Sequence, residues 1–205
     1  MTIHRRRGKP FEAGLLPEAS WLPVTRDEGS SFSFRHIVTR AFPFPFHYHS
    51  EMELTYIVRG TGRRIVGEVV RPFADGDLAL LGPMLPHVWM SDPQCPATEA
   101  FVLRFDGAMV GKLFQSQVEC AAALAWIQRA GPGLEWRRKV PPDLTALFEN
   151  LRRAPTPARR LLGVLDLIFT LAEAGPWHPI CGGFRGIVTG SGEQRVGFAL
   201  RYLRE

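Results

Sequence analysis

The residues best equipped for chemistry sit close together in residues 47–60, HYHSEMELTYIVRG. The stretch reads as one β-strand ending in a tight turn. Side chains alternate faces along a strand, so His47, His49, Glu51 and Glu53 share a face. Two imidazoles and two carboxylates are costly to bury together unless they hold something. Leu54, Tyr56 and Val58 fall on the opposite face and read as packing. Another imidazole, His87, follows Pro86 at the start of a later strand, in parity with Trp89. If the two strands are neighbours, His87 reaches the pair. Three neutral imidazoles and a carboxylate suit a borderline divalent ion such as zinc, nickel, iron or manganese. Glu51 and Glu53 both qualify as the carboxylate. The bland alternative is a set of hydrogen-bonded core or rim histidines.

The elements that must position these groups are mostly strands. Phe32, Phe34 and His36 alternate with polar neighbours. Residues 41–46, AFPFPF, carry prolines that exclude a central ladder position and read as an extended lead-in. Gly60-Thr61-Gly62 is a hairpin signal, with a return strand over 64–70. An apolar run follows over 78–81, then strands over 87–89 and 98–105, with Phe101, Leu103 and Phe105 on one face. About six short strands joined by Gly/Pro turns predict a sandwich or a small barrel. At Gly107 the period shifts to that of helices. Helices are expected over 117–130, 143–153 and 158–174, the last apolar around most of its circumference. Residues 1–30 read as an arm in which Trp21 and Leu22 dock on the body. Residues 175–192 read as a linker. Val196, Ala199, Leu200 and Leu203 give a last helical face in which the sequence stops without a cap.

Composition narrows the class. The chain has 205 residues, 45% hydrophobic and 22% charged, the profile of a globular protein with a sizeable core. Three distant cysteines form neither a disulfide framework nor a zinc ribbon, so a cytoplasmic location is expected. No stretch is apolar enough for a membrane span, and the basic start lacks the apolar segment of a secretory signal. The net charge of +5 comes from arginines scattered in short runs without interleaved aromatics. These read as solvated faces, not as a nucleic-acid stripe.

The pattern H-x-H-x3-E-x6-G over 47–60, followed by GDLALLGPMLPH, resembles the two motifs of the cupin superfamily. That resemblance implies His47, His49, Glu53 and His87 as metal ligands. The second motif departs from the pattern at Leu85, where a glycine is usual. A finer resemblance covers nearly all of the chain. HYHSEMELTYIVRGTGRRIVGE…FADGDLALLGPMLPHVW is similar to the N-terminal sensor domain of AraC-type transcriptional regulators, as are GLEW, the apolar helix over 161–171 and RVGFALRYLRE. It implies a mainly β fold with α: a cupin-like β-barrel of jelly-roll type, followed by a small helical dimerisation subdomain. The divisions are an arm (1–30), the barrel (31–106), a helical dimerisation region (107–175), and a linker with the start of a DNA-binding-domain helix (176–205).

The expected function is effector sensing and dimerisation in a transcription regulator. A small molecule, a divalent metal or both would sit in the barrel, against His47, His49, Glu53, Thr55, His87, Trp89 and Phe101. The partners are that effector and a second copy through the helical region. DNA is contacted only through a helix-turn-helix domain absent from this sequence. The alternative is a stand-alone cupin metalloenzyme of oxygenase or isomerase type. The helical half serves no evident catalytic purpose, and no acid/base pair exists beyond the ligands. The chain is therefore expected not to be an enzyme.

Overall fold

Period-2 alternation dominates the first half of the chain, and it folds as strands. The structure, a computed structural model, describes residues 19–137 and 140–182. Nine strands come first: β1 (Ser20–Trp21), β2 (Phe32–Thr39), β3 (His47–Tyr48), β4 (Met52–Arg59), β5 (Gly62–Val66), β6 (Val69–Phe73), β7 (Leu78–Leu81), β8 (His87–Ser91) and β9 (Thr98–Phe105). Then follow α1 (Gly107–Phe114), a 3-10 turn (Val118–Cys120), α2 (Ala121–Gln128), β10 (Leu134–Trp136), α3 (Leu144–Arg153), α4 (Pro157–Ala174) and β11 (Trp177–Pro179).

The strands make two sheets, in the orders β1-β3-β8-β5-β6 and β11-β10-β7-β4-β9-β2. Ile57, Val66, Phe73, Ala79, Leu81, Trp89 and Ala100 pack into one cluster drawn from both, so the sheets face each other. This corrects the expected fold class. The structure is a mixed α/β one with two cupin-like sheets, and neither closes into a barrel. Among the described residues no ladder joins the edges of one sheet to those of the other.

The departure begins inside the key stretch itself. Residues 47–60 are not one strand. β3 belongs to the five-stranded sheet and β4 to the six-stranded sheet, with residues 49–51 turning the chain between them. The Met84 amide donates to the His49 carbonyl at 2.7 Å and pins that corner. Gly60-Thr61 is likewise a crossing between sheets. The true hairpin lies at Gly67, whose φ of 57° only glycine adopts without strain, and it splits the expected return strand into β5 and β6.

Opposite faces of β4 do different work. Met52, Leu54 and Tyr56 point to the helices, and Glu53, Thr55 and Ile57 point between the sheets. On the helical side Phe148 of α3 stacks on Phe101 at 5.1 Å, on Tyr56 at 5.6 Å and on Phe34 at 6.3 Å. Each such buried ring contributes about 1.5–3 kcal/mol. Leu144, Phe148, Leu151, Leu167 and Leu171 share one continuous core with the sheet. Asp106 caps α1 by accepting from the Ala108 and Met109 amides, and Thr156 caps α4 just before Pro157. Helix α4 buries Val164, Leu167, Ile168 and Leu171 but leaves Leu162 exposed.

Two edges were hidden in the sequence. Residues 177–182, read as linker, supply β11 and the buried Trp177, Ile180 and Cys181. β11 pairs with β10, which pairs with β7 and so extends the six-stranded sheet. Of the arm, Ser20–Trp21 runs parallel to β3, with the Trp21 ring edge-on to Tyr48. Residues 1–18, the remaining linker and the last helical face lie outside the described residues.

Candidate metal centre

His47 and His87 face each other across the β3–β8 ladder. Glu53 comes from the opposite sheet, where it pairs with Arg104 of β9. His49 sits on the corner between them. All four side chains are buried, and one ligand atom from each lies within 4.8 Å of the others. Glu51 is not a member: its carboxylate lies 3.9 Å from His49 Nδ1, on the far side of that ring.

The hydrogen bonds settle which atoms point inward. Nδ1 of His47 bonds the Pro45 carbonyl at 2.8 Å, Nδ1 of His49 the Glu51 carbonyl at 3.1 Å, and Nδ1 of His87 the Leu85 carbonyl at 2.8 Å. A carbonyl oxygen only accepts, so each Nδ1 donates. In the neutral ring Nε2 then carries a lone pair. Backbone carbonyls fix the tautomers and aim the lone pairs inward, as metal-ligating histidines require. Nε2 of His47 and of His87 is buried with no hydrogen-bond partner. His49 Nε2 lies 3.1 Å and His87 Nε2 3.6 Å from Glu53 Oε2. Lone pairs converging on a carboxylate repel unless a cation or protons lie between them.

Electrostatics agree. Burial holds His47 down to about 4, reinforced by the neighbouring His87. Burial pushes Glu53 up, but the neighbouring His87 and the Arg104 guanidinium overcome it and hold the carboxyl well below its usual range. Arg104 Nε donates to Glu53 Oε2 at 2.6 Å, and Thr55 Oγ1 donates to Oε1 at 2.8 Å. The result is a neutral imidazole and an ionised carboxylate at neutral pH, the protonation states that divalent metals need. The donor set fits zinc, nickel, iron or manganese.

Thr55 and Trp89 join His47, Glu53 and His87 around one cavity. Phe101 does not. It pairs opposite Tyr56 and packs on the helical face, so its placement in the site is corrected. Opposite residues on antiparallel strands share a face, so the β9 side chains that reach the cavity are Val102 and Arg104. Ile37, Phe42 and Phe44 complete the wall and were not anticipated. Ile37 could have been found from the alternation of β2. The two phenylalanines sit in the irregular 41–46 segment, where no periodicity reports a face.

No family model and no curated protein matches the sequence. Solved structures do. Apo ToxT K231A from Vibrio cholerae is similar with a TM-score of 0.51 and 14% identity, over 71% of this chain and 56% of that one. A cupin 2 conserved barrel domain protein from Rhodopseudomonas palustris is 20% identical over 40% of this chain and 57% of its own, with a TM-score of 0.34. An oxalate decarboxylase of Bacillus subtilis is 19% identical over 40% of this chain and 22% of its own, at a TM-score of 0.31. These matches span less than two thirds of each of those chains.

The expectation that the chain is not an enzyme does not stand. A buried His/His/Glu/His cluster that could hold a divalent metal is compatible with metal-dependent catalysis. No helix among the described residues is long and apolar enough to cross a membrane. In fold, the chain resembles ToxT, an AraC-family regulator with a cupin-like N-terminal domain, and within that fold it carries a cluster able to hold a divalent metal.

Proposed function

We propose that this chain is the effector-sensing and dimerisation domain of a transcription regulator, with a divalent metal held by His47, His49, Glu53 and His87. The observation that carries this reading is the convergence on one carboxylate of three imidazoles whose Nδ1 atoms are committed to backbone carbonyls, inside a fold similar to ToxT. A metal bound there supplies Lewis acidity toward a ligand. The chain's own groups do the rest. Backbone carbonyls orient the imidazoles, Thr55 and Arg104 hold the carboxylate, and Ile37, Phe42, Phe44 and Val102 form an apolar wall beside them.

Sensing requires two states that the ligand binds unequally. The shared core of sheet and helices supports transmission, because β4 touches the cavity with one face and α3 with the other. Dimerisation is supported by the apolar stripe Leu162, Leu165, Phe169 and Ala172 along α4, exposed at Leu162 and half-buried beyond it. DNA in this reading is contacted by a separate helix-turn-helix domain.

Elemental analysis of purified protein beside His47→Ala and His49→Ala tests the metal. One ion per chain is expected, lost in both variants; equal metal in all three would sink the assignment. Analytical ultracentrifugation beside Leu162→Glu tests the dimer, and a concentration-independent monomer would count against it. The metal centre's catalytic capacity separates from sensing by mass spectrometry of a bound small molecule. A sensor returns it unchanged, and an enzyme returns a product.

A further inference from the structure

Arg104 is in an unusual position for a structural arginine. Its side chain is 12% exposed, and its Nε is committed to Glu53 Oε2. Its two terminal nitrogens have no hydrogen-bond partner among the described residues, and the guanidinium lies 5.9 Å from the Phe44 ring centre at the lip of the cavity. A guanidinium presents its donors as a planar fork that matches a carboxylate. Here half of the fork is used by Glu53 and half is open to the cavity. The facing wall holds His47 and His87, whose inward nitrogens are unpartnered.

The cavity also sets a size. Its volume is about 30 Å³. That is two to three water-sized positions at about 10–15 Å³ each, far below the about 300–1,000 Å³ of a pocket for a drug-sized ligand. Apart from the cluster and Thr55, the lining is apolar: Ile37, Phe42, Phe44, Trp89 and Val102. A sugar would leave most of its hydroxyls unpaired against such walls. A group of a few atoms, with negative charge at one end and carbon at the other, matches them.

We propose that the cavity takes a small carboxylate of one or two carbons as a second ligand. Its oxygens are shared between the metal and the free nitrogens of Arg104, and its carbon end lies against Ile37, Phe42 and Val102. This rests on the metal reading above. Metal and carboxylate then bind with positive coupling, each tightening the other by the same factor.

Cobalt(II) serves as the test ion, because its visible bands report a change of ligands directly. Cobalt-loaded protein is titrated with acetate and, separately, with the neutral acetamide. Two variants are compared: Arg104→Lys, which keeps the charge but loses the fork, and Ile37→Asp, which sets a negative charge on the wall and leaves Arg104 and the cluster in place. The proposal expects a saturable band shift with acetate, none with acetamide at the same concentration, and at least tenfold weaker acetate binding in a variant that still holds one cobalt per chain. Cobalt binding without any acetate effect would overturn the proposal and leave the metal reading standing. So would acetate binding that is unchanged in both variants. Wild-type protein that takes up no cobalt would overturn the two together.

Discussion

Two groups of charged side chains are built around carboxylates buried between the sheets, on opposite principles. In one, Glu135 of β10 accepts from Arg64 at 2.6 Å, from Arg137 at 2.6 Å and from Arg71, while Asp77 stands 3.3 Å from Arg64. Every carboxylate meets a permanent cation, and what is left over is donor capacity, Nε and Nη1 of Arg64, so this group is closed to a cation. In the other, three imidazoles turn Nε2 toward Glu53 with Nδ1 tied to backbone carbonyls, and a single arginine reaches that carboxylate from the side. That group is open, because it presents acceptors without matching donors. Burial alone therefore does not mark a binding site. What marks it is a surplus of one kind of partner that the chain itself does not fill.

The contrast can be broken at the closed group first, with the largest effect. Glu135→Ala leaves Arg64, almost fully buried, without its strongest partner. A loss of about 3–5 kcal/mol in unfolding free energy is expected, measured by urea denaturation with or without metal. Next comes the open group. Zinc at a hundred to a thousand times its dissociation constant should raise stability by about 2.7–4.1 kcal/mol in wild-type protein. The His87→Ala variant should lose this increment, and calorimetry would show a zinc-independent transition.

A smaller change tests the support around the carboxylate. Thr55→Val removes the donor to Glu53 Oε1 and should weaken zinc about 10–100-fold in competition titrations, with little change in the metal-free fold. The subtlest effect is in pH. His47 binds a proton near 6.5 when unfolded but only near 4 when folded, mainly because it is buried. The unfolded state therefore takes up the proton first as pH falls. Stability of the metal-free protein should be flat above about 6.5 from this group and decline from there toward 4. His47→Gln should remove that part of the decline, and an unchanged slope would show that other groups carry it.

Much of the open group was legible in the sequence because its chemistry is local. His47, His49, Glu53, Thr55, His87 and Trp89 all reach one region, although residues 47–60 are two strands in two sheets. The spacing survives because the corner at 49–51 redirects the chain around a common point. Phe101 went astray for a different reason. Alternation shows that Phe101, Leu103 and Phe105 share a face, but not which side of the sheet that face looks to. The register of β9 against β4 decides it, and register is set by contacts far away in sequence. Sheet closure failed in the same way, since edge pairing leaves no trace in local periodicity. β10 and β11 were illegible because three residues carry no period and one of the three in β11 is a proline. The helices were readable to within a few residues, apart from α1, which has only Val110 and Phe114 fully buried.

The corner at 49–51 has a mechanical consequence. His47 and His87 ride on the five-stranded sheet, and Glu53 rides on the six-stranded sheet that carries the helices on its back. Any ion seated among them is a clasp between two leaves of a folder whose spine is a three-residue bend. Fastening it fixes the distance between the leaves, and α3 and α4 lie directly behind the leaf that would be drawn in.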